Sequence, residues 1–107
     1  MSAGSASPEP ALFDVDSLKG PTLLEFGTSW CGFCRAAQPA IAAALARHPA
    51  VRHRRIEDGP GRPLGRSFGV KLWPTLVFMR DGEEVAKLVR PRDAAAIGDA
   101  LARIDPA

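Results

Sequence analysis

The chain has 107 residues, 46% hydrophobic and 24% charged, which suits one packed domain of ordinary composition and argues against global disorder. Its formal charge of +2 is too small to argue for a nucleic-acid partner, and the basic run Arg52, Arg54, Arg55 reads as a strand with solvated faces. No apolar stretch is long enough to predict a membrane-spanning helix, and a domain of this size needs neither metal nor disulfide to fold.

Met1 to Pro10 is small, polar and proline-bearing, and reads as a disordered leader to a single domain over residues 11–105. It lacks a basic patch followed by an apolar core, so no secretion signal is read there. If Met1 is the native start, the expected setting is the cytoplasm. There a close cysteine pair is reactive or metal-binding rather than structural. Residues 11–20 carry Leu12, Phe13, Val15 and Leu18 with Asp14 and Asp16 as capping candidates, and read as a short helix or a turn.

Pro21 to Gly27 is a continuous apolar run interrupted by Glu25, and predicts a buried central strand. Cys31 to about Arg47 predicts the longest helix, rich in alanine, with Ala37, Ile41, Ala44 and Leu45 on one face. Pro39 falls inside it and is expected to kink it; His48-Pro49 ends it. Val51 to Ile56 predicts a second strand, and Leu64 with Phe68 a short helix before Gly69. Thr75 to Met79 predicts another buried strand. Asp81-Gly82 is a two-residue hairpin signal leading into a returning strand over Glu83 to Val89. Asp93 caps a last predicted helix whose Ala94, Ile97, Leu101 and Ile104 form one stripe. The order demands a parallel first pair joined by a crossover, followed by an antiparallel edge. The expected class is α/β: a mixed four-stranded sheet with helices on both faces.

Both cysteines lie in Trp30-Cys31-Gly32-Phe33-Cys34, where strand gives way to helix. Only the thiolate is a nucleophile, and the unsatisfied amides of a helix start favour negative charge on the first sulfur. The spacing predicts that Cys31 attacks a substrate disulfide and Cys34, one turn further in, resolves the mixed disulfide. Arg35 adds a positive charge nearby, with its side chain expected to face water. A metal site is the competing reading. Cys31, Cys34, His48 and His53 are spaced C-x2-C-x13-H-x4-H, close to a zinc-finger pattern. The cysteines open a helix and Pro49 separates the histidines, so no metal is expected and neither histidine is given a role.

Leu24-Glu25-Phe26 followed by Trp30-Cys31-Gly32-Phe33-Cys34 resembles the thioredoxin family, as do Pro39, Trp73-Pro74-Thr75, Phe78 and Asp81-Gly82. The likeness covers about residues 20–105. It implies a thioredoxin fold with a four- or five-stranded sheet, and a cis bond before Pro74 facing the cysteines. It implies that the backbone N–H and C=O of Trp73 pair with an extended substrate chain, with Trp30, Gly32, Phe33, Trp73 and Pro74 forming the substrate-binding rim. It assigns Glu25 to the family's buried acid, with Arg55 as its basic partner. Burial in an apolar strand is expected to raise the Glu25 pKa, so that it exchanges protons with Cys34.

The sequence departs from the family in three respects. Phe33 stands where thioredoxins carry Pro and isomerases His. Gly27 replaces a large aromatic and is expected to open space by the site. The polar leader offers no counterpart to the family's first edge strand. The reading is a reductase of protein disulfides, without bound cofactor, acting as a monomer on protein substrates and receiving electrons from a partner such as a thioredoxin reductase. The rivals are a binding or chaperone module with incidental exchange, and a disulfide oxidant or isomerase.

Overall fold

The computed structural model describes residues 18–106. The polar leader, residues 11–17 of the helix or turn expected over 11–20, and any first edge strand built from them lie outside these residues; residues 18–20 are not helical. The elements in chain order are β1 (Pro21–Gly27), α1 (Gly32–Ala46), β2 (Arg52–Glu57), α2 (Leu64–Ser67), β3 (Thr75–Arg80), β4 (Glu83–Val89) and α3 (Ala94–Ile104). The described strands form one sheet in the order β2-β1-β3-β4. β1 runs parallel to β2, with Glu25 opposite Arg55, and antiparallel to β3, with Glu25 opposite Leu76.

β1 is central, and its two faces serve two cores because strand side chains alternate. Leu23 points to a cluster with Ala37, Ile41 and Ala44 of α1, Leu76 and Phe78 of β3, and Ile97, Leu101 and Ile104 of α3. Leu24 and Phe26 point the other way, to Ile56, Leu64, Val70, Val77 and Met79, with Phe68 and Trp73 packed alongside. The alternation also puts Glu25 on the Leu23 face, beneath α1.

Local chemistry sets the element ends. Asp81 and Gly82 both take positive φ, 51° and 83°, as a tight hairpin between β3 and β4 requires. Asp81 also accepts from the Gly20 N–H at 2.8 Å, which ties the hairpin to the start of β1. The carboxylate of Asp93 accepts from the Ala96 N–H at 2.7 Å and caps α3. Pro39 lies on the exposed side of an unbroken α1. His48 and Asp105, 2.7 Å apart, join the C-terminal ends of α1 and α3.

Leu101 is fully buried where α3 meets the sheet. Leu101→Ala is expected to cost about 2–5 kcal/mol by lost transfer energy and an unfilled cavity. Equilibrium urea unfolding measures this, and a loss under about 1 kcal/mol would mean that α3 is not packed as described.

Candidate active site

Cys31 is the N-cap of α1, and its sulfur accepts from the Cys34 N–H at 3.2 Å. An N-cap side chain normally supplies an oxygen to this amide; here a sulfur takes that place. Both cysteines are free thiols and both are buried, 7% exposed for Cys31 and 5% for Cys34. The Cys34 thiol is pushed up to about 11, first by burial, then by its hydrogen bond to Cys31, and further by the charges of Cys31 and Glu25. A backbone contact with Thr28 opposes this. Cys34 therefore stays protonated at neutral pH, and the pair is chemically asymmetric.

Gly27, at the end of β1, sets the depth at which Cys34 sits. A Cβ built there would lie 2.5 Å from the Cys34 sulfur and 3.9 Å from the Trp73 Cβ. The space expected to open beside Gly27 is thus filled by the Cys34 sulfur. The same contacts show that Trp73 borders the cysteines.

Glu25 is 6% exposed, yet its pKa is lowered from the usual value near 4.5, not raised as the apolar run suggests. Burial pushes it up and is the largest single effect, but the combined pull of His53, Gln38 and Arg55 exceeds it. His53 Nε2 lies 2.7 Å from one carboxylate oxygen, and Gln38 Nε2 donates to the other at 2.7 Å. Arg55, the expected basic partner, stands further off, with Nε at 3.6 Å and a side chain 68% exposed. Gln38 is the joint of this network. It also donates to the Cys34 carbonyl at 2.9 Å and accepts from the Arg55 guanidinium.

Neither Gln38 nor His53 is named by the sequence reading, although both spacings are simple. Gln38 is one turn beyond Cys34 on α1. His53 is two residues before Arg55 and so shares its strand face. The zinc-finger-like quartet does not hold together as one cluster: His48 pairs with Asp105 and His53 with Glu25. Among the described residues no group of three or more His, Cys, Asp or Glu is arranged to hold a metal.

The expected rim is in part exposed. Trp30 is 71% and Phe33 54% exposed, and Gly32 is open to solvent. Trp73 is half-buried, packs edge-on against Trp30 with ring centroids 5.6 Å apart, and donates its indole N–H to Asp58 at 2.8 Å. The Trp73–Pro74 bond is cis, and Pro74 is buried, not a rim residue. The Trp73 carbonyl, expected to face a substrate strand, already accepts from Arg90 Nε at 2.7 Å. The Arg90 guanidinium also stacks 3.9 Å from the centre of the Phe33 ring. Asp58 and Arg90 are further residues at this site that the sequence reading missed.

The Thioredoxin family profile matches residues 9–103 of the chain. The chain is similar in structure to thioredoxin 2 from Pseudomonas aeruginosa PAO1, with a TM-score of 0.83 and 53% identity, covering 97% of this chain and 96% of that one. It is 37% identical to a thioredoxin from Rhodospirillum rubrum over 81 residues, 71% of this chain and 76% of the relative. It is also 40% identical over 87 residues to the human protein disulfide-isomerase A2, covering 76% of this chain but only 17% of that longer protein. With a family profile spanning most of its length and two cysteines set at the head of a helix, the chain belongs to the thioredoxin family of thiol–disulfide oxidoreductases.

Proposed function

We propose that the chain reduces protein disulfides, with Cys31 as nucleophile and Cys34 as resolving thiol. The observation that carries this reading is the asymmetry of the pair: one sulfur at the helix start accepting an amide N–H, the other holding its proton up to about 11. The Cys31 thiolate attacks one sulfur of the substrate disulfide, and the other substrate sulfur leaves as a thiolate. Cys34 then loses its proton and attacks the Cys31 sulfur. The second substrate thiolate leaves, and a Cys31–Cys34 disulfide remains. Two electrons pass to the substrate and two protons accompany them. The two sulfurs carry the whole redox change, so the reading calls for no bound cofactor. A partner dithiol, such as that of a thioredoxin reductase, would return the electrons.

In this reading Glu25 accepts the Cys34 proton. Its lowered pKa keeps it ionised at neutral pH but makes it a weak base, so the proton moves only as Cys34 attacks the Cys31 sulfur and the substrate thiolate leaves. Arg55 and Gln38 hold the network around it. Trp30, Gly32 and Phe33 form the exposed approach, with Trp73 and the buried Pro74 as its floor. The reading includes a cytoplasmic setting, where thiols are kept reduced, and a monomer.

Turnover of insulin disulfides with dithiothreitol tests the activity. The expected result is precipitation well ahead of the uncatalysed reaction. A rate equal to the uncatalysed one would favour a binding module that uses the exposed Trp30 and Phe33 alone. Equilibration against glutathione tests the direction. A potential near about −270 mV fits a reductase, and one near about −120 to −180 mV would replace this reading with an oxidant or isomerase.

A further inference from the structure

Arg90 follows β4 and adopts a φ of 50°, uncommon for a residue with a side chain. Its backbone N–H donates to the Pro74 carbonyl at 2.8 Å, and its side-chain Nε donates to the Trp73 carbonyl at 2.7 Å. Its guanidinium carbon sits 3.9 Å from the Phe33 ring centre. Two side-chain contacts and one backbone contact thus lock Arg90 against the first turn of α1, which carries Phe33, and against the Trp73-Pro74 segment.

Each of these contacts leaves the charge of Arg90 intact. A carbonyl and an aromatic face both welcome a cation without neutralising it. Among the described residues no carboxylate forms an ion pair with Arg90, and its two terminal NH2 groups have no protein partner. The result is a half-buried, pre-oriented fork with spare donors, set between Phe33, next to Cys34 in sequence, and Trp73. A planar fork of that kind matches a carboxylate bidentately, and holding it in place removes much of the ordering cost that weakens an ordinary surface pair.

We propose that Arg90 is a specificity-determining residue that selects disulfides carrying a carboxylate next to the attacked cysteine. The inference rests on the disulfide-reductase reading above and names the class of substrate that this site prefers. Nε already occupies the Trp73 carbonyl, so recognition on this side shifts from the substrate's backbone to an acidic side chain.

The test uses two synthetic peptide disulfides that differ only in Glu or Gln flanking the cysteines. Each kcat/KM is normalised to the peptide's own rate with dithiothreitol. The wild-type protein is expected to favour the Glu peptide by about tenfold at low salt, less at high salt. In Arg90→Gln the preference is expected to fall to about one. In Arg90→Lys, which keeps a charge but loses the fork, it falls between the two. Arg90→Gly suits the positive φ, supplies a folded variant if Arg90→Gln is unstable, and is also expected to show a ratio of about one. Arg52→Gln removes an exposed charge on β2, which packs against the side of β1 away from β3, and keeps the wild-type ratio. A wild-type ratio of about one overturns the inference. So does a ratio unchanged in both Arg90→Gln and Arg90→Gly, or one lowered equally by Arg52→Gln. If the wild type reduces neither peptide nor insulin, the reductase reading itself has failed and the inference goes with it.

Discussion

Cys34→Ser is expected to turn a catalyst into a trap. The substitution leaves the N-cap in place, because the amide that bonds the Cys31 sulfur belongs to the backbone of residue 34. Attack on a substrate disulfide should therefore proceed. What is lost is the second nucleophile, because a buried hydroxyl stays protonated and is too poor a nucleophile towards sulfur to expel the substrate thiolate. The protein should end as a stable mixed disulfide with close to one substrate molecule attached. Multiple turnover should fall by on the order of 10³ or more. Cys31→Ser should lose turnover equally and form no adduct, since Cys34 is buried out of reach of a substrate and burial, the largest cause of its raised pKa, persists without Cys31. Mass spectrometry under non-reducing conditions reads both outcomes. An adduct on Cys31→Ser but not on Cys34→Ser would reverse the assignment of the two sulfurs.

Glu25→Gln is expected to slow resolution by about 10–100-fold while leaving the first attack near its wild-type rate. The carboxylate acts on Cys34 through its charge and through Gln38, which touches both Glu25 and the Cys34 carbonyl. Single-turnover exchange separates the two steps, and equal resolution rates for wild type and variant would remove Glu25 from the proton transfer.

The same substitution carries a stability signature with a definite sign. A carboxylate whose pKa is lower in the folded state stabilises the fold above its unfolded value. That contribution is lost as pH falls through the folded pKa. Glu25 is lowered from about 4.5, so the wild type's advantage over Glu25→Gln should be full at neutral pH and shrink as pH drops below that value. At neutral pH the variant also deprives His53 and Arg55 of their carboxylate partner. Urea unfolding of both proteins at pH 7 and through the acid range measures the difference. An advantage that grows on acidification would mean that burial, not the ring of donors, governs this carboxyl.

The contrast between the expected and the observed charge of Glu25 marks the boundary of what the chain reveals unaided. Strand β1, the hairpin at Asp81-Gly82, the Asp93 cap and the helix beginning behind Cys31 were all legible. Each is written in residues a few positions apart, where backbone preference and apolar spacing act directly. So was the candidate pair itself, because Cys31 and Cys34 lie within one helical turn. The partners of Glu25 are different in kind. Gln38 comes from α1 and His53 from β2, and the two meet only because β2 packs beside β1 with α1 above it. Burial and hydrogen bonding push that carboxyl in opposite directions, so the sign depends on how many donors arrive, and a linear pattern does not count them. The gap expected beside Gly27 was filled by the Cys34 sulfur, and the carbonyl expected to be open at Trp73 was taken by Arg90. In this protein the sequence alone determined the elements and the placement of the two sulfurs at the head of a helix, since both follow from short-range geometry. The tertiary structure decided the charge of the buried acid and the cation at the rim, since both depend on side chains brought together from distant elements.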